Sequence, residues 1–336
     1  MIKSITFKNF KALRDCTLPL GRFTLLIGPN GSGKTTALQA FDVMAQRGQW
    51  ALPTVRTVGV AQSDPVDVTL VWGDPFDGVA IAVGVRRNGL FRGEFKDAQG
   101  RQAVSKQTST DLRRVIHGSR VYSLTADAIA RPVTLRPNMF LDPTGMGLAG
   151  VLDRLRDQHP ERWDSLNVVL QTWFPDFDRI LFDTPAEGQR AIALRTCSGG
   201  HSIPASQISQ GTLLALAMLT LAYLPDPPPV VGFEEPGRGI HPRLLRDVRD
   251  AMYRLAYPET VGEDREPVQV IATTHSPYML DLFKDHPDEI VIAQKLEGNV
   301  EFKRLSEMPH IDEILESAPL GEVWYSGVLG GAPAGK

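Results

Sequence analysis

The spacing of apolar and polar positions changes several times along the chain, and each change marks an element. The opening MIKSITFKNFKALRD reads as a charged strand pattern. Phe23 to Ile27 is a short unbroken apolar run, as expected of a strand buried on both faces. TTALQAFDVMAQ follows with helical periodicity. Residues 56–97 alternate (VDVTLVWGD, VAIAVGVRR) and predict antiparallel strands, whereas residues 146–174 read as helices. ISQGTLLALAMLTLAYL, residues 208–224, predicts a strongly apolar helix. VVGF and VQVIATT, in residues 230–233 and 268–274, predict two further buried strands. The longest apolar run, Leu213 to Leu224, contains a threonine and is too short to span a bilayer.

Composition narrows the class. The chain has 336 residues, 42% hydrophobic and 22% charged, ordinary for a globular protein with a buried core. A net charge of -3 excludes bulk attraction to polyanions, so any nucleic-acid surface must be local. Cys16 and Cys197 lie in no CxxC or His/Cys cluster, which argues against a zinc site and a disulfide framework. With no signal peptide at the start and no membrane segment, a cytoplasmic location is expected.

Candidate chemistry begins after the first buried strand. Gly28-Pro29-Asn30-Gly31-Ser32-Gly33-Lys34-Thr35 matches GxxxxGK[ST], between a strand and a helix. Glycines let backbone N–H groups turn around phosphate oxygens, and the helix N-terminus adds its positive dipole end. This predicts an ATP site using Asn30, Gly31, Ser32, Gly33, Lys34, Thr35 and Thr36. Lys34 is expected on the β- and γ-phosphates and Thr35 on Mg²⁺. The alternative is a glycine-rich turn with a surface lysine.

Three later segments refine the class. VVGF ends in Glu234 and Glu235, and Pro236 then breaks the strand. Acids at the C-terminal end of a parallel strand fall beside a P-loop. Glu234 is therefore expected to hold Mg²⁺ and Glu235 to act as general base. His275, after VQVIATT, is positioned to point at the γ-phosphate. Ser209 and Gly211 open the apolar helix, a serine-capped terminus suited to anions. Ser198-Gly199-Gly200-His201 resembles the same signature, but Pro204 follows too soon for a long helix to begin there.

With these four elements in order, the chain resembles the ABC-type ATPase heads of the SMC/RecF/OLD-like superfamily, in particular compact AAA-family ATPases of bacterial defence. FKNFKALRDCTLPLGRFTLLIGPNGSGKTT, FEEPGRGIHP, TTHSPYML and the tail LGEVWYSGVLGG carry the likeness. The resemblance implies an α/β P-loop NTPase fold of the ABC-head type, and places Lys11 near the α-phosphate. Residues 1–48 and 188–303 would form the ATPase core. Residues 49–187 would be an inserted β plus helical subdomain, and 304–336 a tail whose final GGAPAGK frays. Glu234 stands where relatives more often carry aspartate, and Gln62 is the candidate for the Q-loop. No coiled-coil arm is expected, and no toprim-type nuclease domain after His275.

The implied mechanism is a head-to-tail ATP sandwich. Lys34, Glu234, Glu235 and His275 of one copy would face Ser209 and Gly211 of another. The expected function is an ATP-driven switch in phage defence or genome maintenance that controls a separately encoded effector, a nuclease or toxin. The alternative is a DNA-binding, RecF-like repair clamp without an effector. Residues 86–120 hold nine basic residues against three acidic, which suits DNA phosphates, an acidic partner, or a solvated hairpin.

Overall fold

The structure is a computed structural model, and it describes residues 1–45, 55–61, 63–86, 89–93, 95–97, 99–101, 104–296, 298–327 and 329. Gln62, Arg87, Glu94 and the expected frayed tail from 330 onward lie outside the described residues, as do the side chains of Arg86 and Arg92.

The first elements are β1 (Ile2–Phe10), β2 (Leu13–Pro19), β3 (Phe23–Ile27) and α1 (Lys34–Ala45). Next come β4 (Val66–Trp72), β5 (Ala80–Arg86), β6 (Gly89–Arg92), α2 (Lys106–Gly118) and β7 (Arg120–Tyr122). The middle of the chain supplies α3 (Ala126–Ile129), β8 (Val133–Thr134), α4 (Leu148–Gln158) and α5 (Pro160–Trp173). It continues with β9 (Phe177–Asp183), β10 (Gln189–Thr196), β11 (Ser202–Pro204) and α6 (Gln210–Tyr223). The last part holds β12 (Val230–Phe233), α7 (Leu245–Ala256), β13 (Gln269–Thr274), α8 (Pro277–Asp281), β14 (Ile290–Leu296), β15 (Asn299–Arg304), α9 (Ile311–Ser317) and α10 (Leu320–Tyr325).

The chain divides into two compact units. The first comprises residues 1–121, 228–234 and 267–336; the second comprises 122–227 and 235–266. This division cuts across the expected boundaries, because residues 49–187 contribute to both units. The physical reason is strand pairing. β4 alternates strictly between buried and half-buried positions, and its partner is β1, antiparallel, with Phe7 opposite Val68. The strands expected in an insertion thus complete the N-terminal sheet.

The first unit has two sheets. One is five-stranded, in the order β2-β1-β4-β5-β6, with every assigned pair antiparallel. The other is six-stranded, in the order β15-β14-β3-β13-β12-β7. Within it β3 pairs in parallel with both β13 and β14. All five residues of β3 are buried, which its unbroken apolar run requires. Residues of both sheets and α1, including Phe7, Phe10, Leu26, Leu38 and Phe41, share one apolar cluster. Gln269 joins the sheets: its side chain accepts from Ile2 N at 3.0 Å and donates to Ile2 O at 2.6 Å and Gly21 O at 2.8 Å. A buried amide this well satisfied holds the edge of β1 against β13.

In the second unit β8 to β11 form an antiparallel sheet, with β10 pairing β8, β9 and β11. α6 is buried on nearly every side, from Leu213 to Tyr223, as its apolar sequence demands. Its C-terminal end meets a charged knot centred on Glu263. That carboxylate receives Arg265 Nε at 2.7 Å and Arg162 at 3.4 Å, and contacts Arg254. Arg254 also stacks over the Tyr223 ring, 4.1 Å from its centroid. Burial pushes the Glu263 carboxyl up, but the Arg265 hydrogen bond and the charges of Arg254 and Arg162 outweigh it, holding the group below its ordinary value. A depressed carboxyl contributes stability above its unfolded-state pKa, and that contribution is lost on acidification through the folded value. Glu263→Gln, which leaves three guanidinium groups without their counter-charge, is expected to destabilise the protein by about 2–3 kcal/mol at pH 7. Urea midpoints at pH 7 and at pH 3–4 check this: the mutant's deficit should shrink at the lower pH.

Among the described residues no helix is long and apolar enough to cross a membrane.

Candidate functional site

β3 delivers the chain into the glycine loop at the middle of the six-stranded sheet. Gly28 has φ +156, and a Cβ there would come within 2.4 Å of Ala293 O on β14. Gly33 has φ +92, and its Cβ would meet Leu13 Cδ2 at 2.7 Å. Only glycine fits either place. Asn30 and Gly31 are exposed at the rim, while Ser32, Gly33 and Lys34 are buried and Thr36 is half-buried. Lys34 opens α1 and is only 5% exposed. Its ammonium donates to Gly28 O at 2.8 Å and Pro29 O at 3.0 Å and contacts Ser32 Oγ at 3.4 Å. The lysine is thus fixed across the loop by acceptors the loop itself provides.

β12 lies two strands from β3, with β13 between. Phe233 pairs with Ala272, and Thr274 pairs with Ile27, so the ends of these strands terminate beside the glycine loop. Glu234 emerges there, and Thr35 Oγ1 donates to its Oε1 at 2.6 Å. Two residues 199 apart in sequence therefore present a hydroxyl and a carboxylate together. Glu235, next in the chain, has φ +47, and its carbonyl accepts from Arg238 N at 2.9 Å. His275 follows Thr274 at the end of β13, half-buried.

Lys11 has φ +50 in the turn between β1 and β2. Its backbone N–H donates to Val55 O at 2.8 Å and its Nζ to Gln39 Oε1 on α1 at 2.6 Å. It lines a cavity of about 480 Å³ together with Arg14, Arg56, Thr57, Lys295 and the P-loop Gly31. The buried Thr57 hydroxyl in that lining has no hydrogen-bond partner among the described residues.

Asp42 escaped sequence reasoning. It lies on α1 seven positions after Thr35, hence on the same helix face. Burial raises its carboxyl to about 6, against a hydrogen bond from the Val121 backbone and the charge of Arg120; Glu234 pushes it up further and Lys11 draws it down. The signal was present in the sequence only as an acid on the helix following the P-loop.

In the second unit, Ser209 is the N-cap of α6, and its hydroxyl accepts from Thr212 N at 3.2 Å. A Cβ on Gly211 would come within 2.7 Å of Gly239 O, so the first turn of α6 lies directly on the turn that follows Glu235. The competing Ser198-Gly199-Gly200-His201 segment is the hairpin turn between β10 and β11, with φ +78 and +64 at its glycines. In the basic segment, Arg101 pairs with Asp97, Arg114 pairs with Asp111, and Arg120 donates to His117 O and Ser119 O.

Residues 23–281 match the family described as "AAA domain, putative AbiEii toxin, Type IV TA system". The chain belongs to this AAA-domain family. Its match contains the glycine loop, the paired acids and His275 together. A 44-residue stretch is 52% identical to the OLD nuclease of Thermus scotoductus; it makes up 13% of this chain and 8% of that protein. The chain is also similar in structure to an SMC head bound to the C-winged helix domain of ScpA, with TM-score 0.59, 14% identity, and coverage of 90% of this chain and 96% of that one. An SMC head domain from Thermotoga maritima aligns with TM-score 0.48 and 16% identity, over 90% of this chain and 98% of that one. This family member is thus an ATPase-type P-loop domain with the expected α/β fold, a fold it shares with an SMC head.

Proposed function

We propose that the chain binds ATP with Mg²⁺ and hydrolyses it in a site completed by a second copy, using the cycle as a switch on a separate effector. The observation that carries this reading is the 2.6 Å contact between Thr35 Oγ1 and Glu234 Oε1 at the rim of a loop that requires glycine at positions 28 and 33. The donor set suits the metal: a hydroxyl and a carboxylate are hard oxygen donors of the kind Mg²⁺ takes, with Glu234 reaching the ion through one of the waters Mg²⁺ retains and phosphate oxygens beside them. Bound there, the ion would neutralise charge on the phosphates.

The chain's own groups supply the other functions. Lys34 and the N–H groups of Asn30 to Thr36 hold phosphate oxygens. Glu235 accepts a proton from the attacking water, and His275 orients the terminal phosphate. Lys11, in the cavity it lines with Arg14, Arg56 and Thr57, takes the α-phosphate end of the nucleotide. Ser209 and Gly211 of the second copy bring a helix N-terminus to the site.

The switch reading is favoured over a DNA clamp on two grounds. The family description names a toxin–antitoxin system. In the basic segment, Arg101 pairs with Asp97 and Arg114 with Asp111, which offsets part of the local positive charge. The experiment is a Mg²⁺ titration of phosphate release. Glu234→Gln should raise the half-saturating Mg²⁺ concentration on the order of tenfold or more; an unchanged titration would remove Glu234 from the metal site.

A further inference from the structure

The tail motif LGEVWYSGVLGG has no part in the scheme above, yet it is fastened to the segments on either side of the P-loop. α10 begins at Leu320 after Pro319, whose side chain offers no cap to the helix amides. The amide of Gly321 is instead capped from outside: Asp281 Oδ1, at the end of α8, accepts it at 2.7 Å. At the same point α10 lies on Pro277, two residues beyond His275. A Cβ on Gly321 would stand 2.7 Å from Pro277 O and 2.8 Å from Pro277 Cβ. A second fastening follows, where Gln294 Nε2 on β14 donates to the carbonyl of the buried Leu329 at 2.9 Å. Ala293, beside Gln294, is the residue that crowds Gly28.

Between β13 and α8 the chain has little freedom. Ser276 N donates to Thr274 Oγ1 at 3.0 Å, and Ser276 Oγ accepts from Met279 N at 3.3 Å. The histidine therefore sits on a short strap held at one end by the central sheet and at the other by α8. α8 has only five residues and is itself backed by α10. A helix this short gains little stability from its own hydrogen bonds and relies on its packing.

We propose that the C-terminal helix is a positioning element for His275, acting through the Asp281 cap on Gly321 and the Gly321–Pro277 contact. This rests on the reading of His275 as a participant in hydrolysis. Asp281 and Gly321 are not among the residues proposed to hold nucleotide or metal; they set where the strap lies. Errors of about 1 Å in such a position cost catalysis far more than binding.

The test is steady-state phosphate release from MgATP by the full chain and by His275→Ala, Asp281→Ala, Asp281→Asn and Gly321→Ala. Melting temperature and nucleotide affinity are measured on the same samples. Asp281→Ala and Gly321→Ala should lower kcat on the order of tenfold or more, with KM within about twofold of wild type. Asp281→Asn keeps an oxygen acceptor for Gly321 N and should recover most of the rate. Should Gly321→Ala fail to fold, the Asp281 pair still decides. Wild-type turnover in Asp281→Ala, with His275→Ala inactive, would overturn the positioning role alone, as would equal loss in Asp281→Ala and Asp281→Asn. Full activity in His275→Ala would overturn the reading beneath it and the proposal together.

Discussion

Glu235→Gln should bind ATP about as well as wild type while releasing phosphate at least about a hundredfold more slowly. The amide has nearly the shape of the carboxylate but cannot take a proton from water, and general-base removal costs roughly 10²–10⁴ in rate. The backbone supports a special role. Glu235 has φ +47, a left-handed conformation uncommon for a side-chain-bearing residue, and its turn is closed by the Arg238 N bond to its carbonyl. Strain of this kind persists where surrounding structure insists on a particular side-chain direction. Phosphate release, with fluorescent-nucleotide binding on the same protein, checks both halves. A rate within about twofold of wild type would assign the base elsewhere.

Lys34→Ala should fail one step earlier, at binding. Lys34 is 5% exposed and holds its charge over the loop through Gly28 O and Pro29 O. Truncation removes both the cation proposed to meet the phosphates and the donor that ties the loop's two sides. Charge-assisted hydrogen bonds are worth about twice neutral ones. ATP affinity is expected to fall on the order of a hundredfold, measured by calorimetry. Lys34→Arg should not rescue it: the planar fork is bulkier than the ammonium and cannot reproduce its compact contacts in a cradle where Gly28 and Gly33 leave no room for a methyl group. Retained affinity in Lys34→Ala would mean the loop binds phosphate through backbone amides alone.

The parts of the site legible in the sequence are those set by local physics. The apolar run Phe23–Ile27, the glycines after it and the helix from Lys34 follow from burial, backbone freedom and periodicity within fifteen residues. The acids ending β12 and the histidine ending β13 were legible because a parallel sheet brings strand ends to one edge. Long-range pairing was not legible. Alternation in Val66–Trp72 marks a half-buried strand but carries no label saying that its partner is β1, so the expected inserted subdomain and the observed units divide the chain differently. Asp42 was missed because its significance depends on a helix face and on neighbours 78 and 192 residues away, Arg120 and Glu234. The tail offered only its likeness to relatives; that Gly321 rests on Pro277 is a tertiary fact.

The proposed site is shared between two copies and held closed by ATP. Light-scattering mass with and without MgATP, on wild type and Glu235→Gln, tests it most directly. A composite site predicts that MgATP doubles the mass of Glu235→Gln and that the doubled form persists without phosphate release, while wild type returns to its starting mass as ATP is consumed. A mass for Glu235→Gln that MgATP leaves unchanged, under conditions where ATP is shown to be bound, would contradict the shared site.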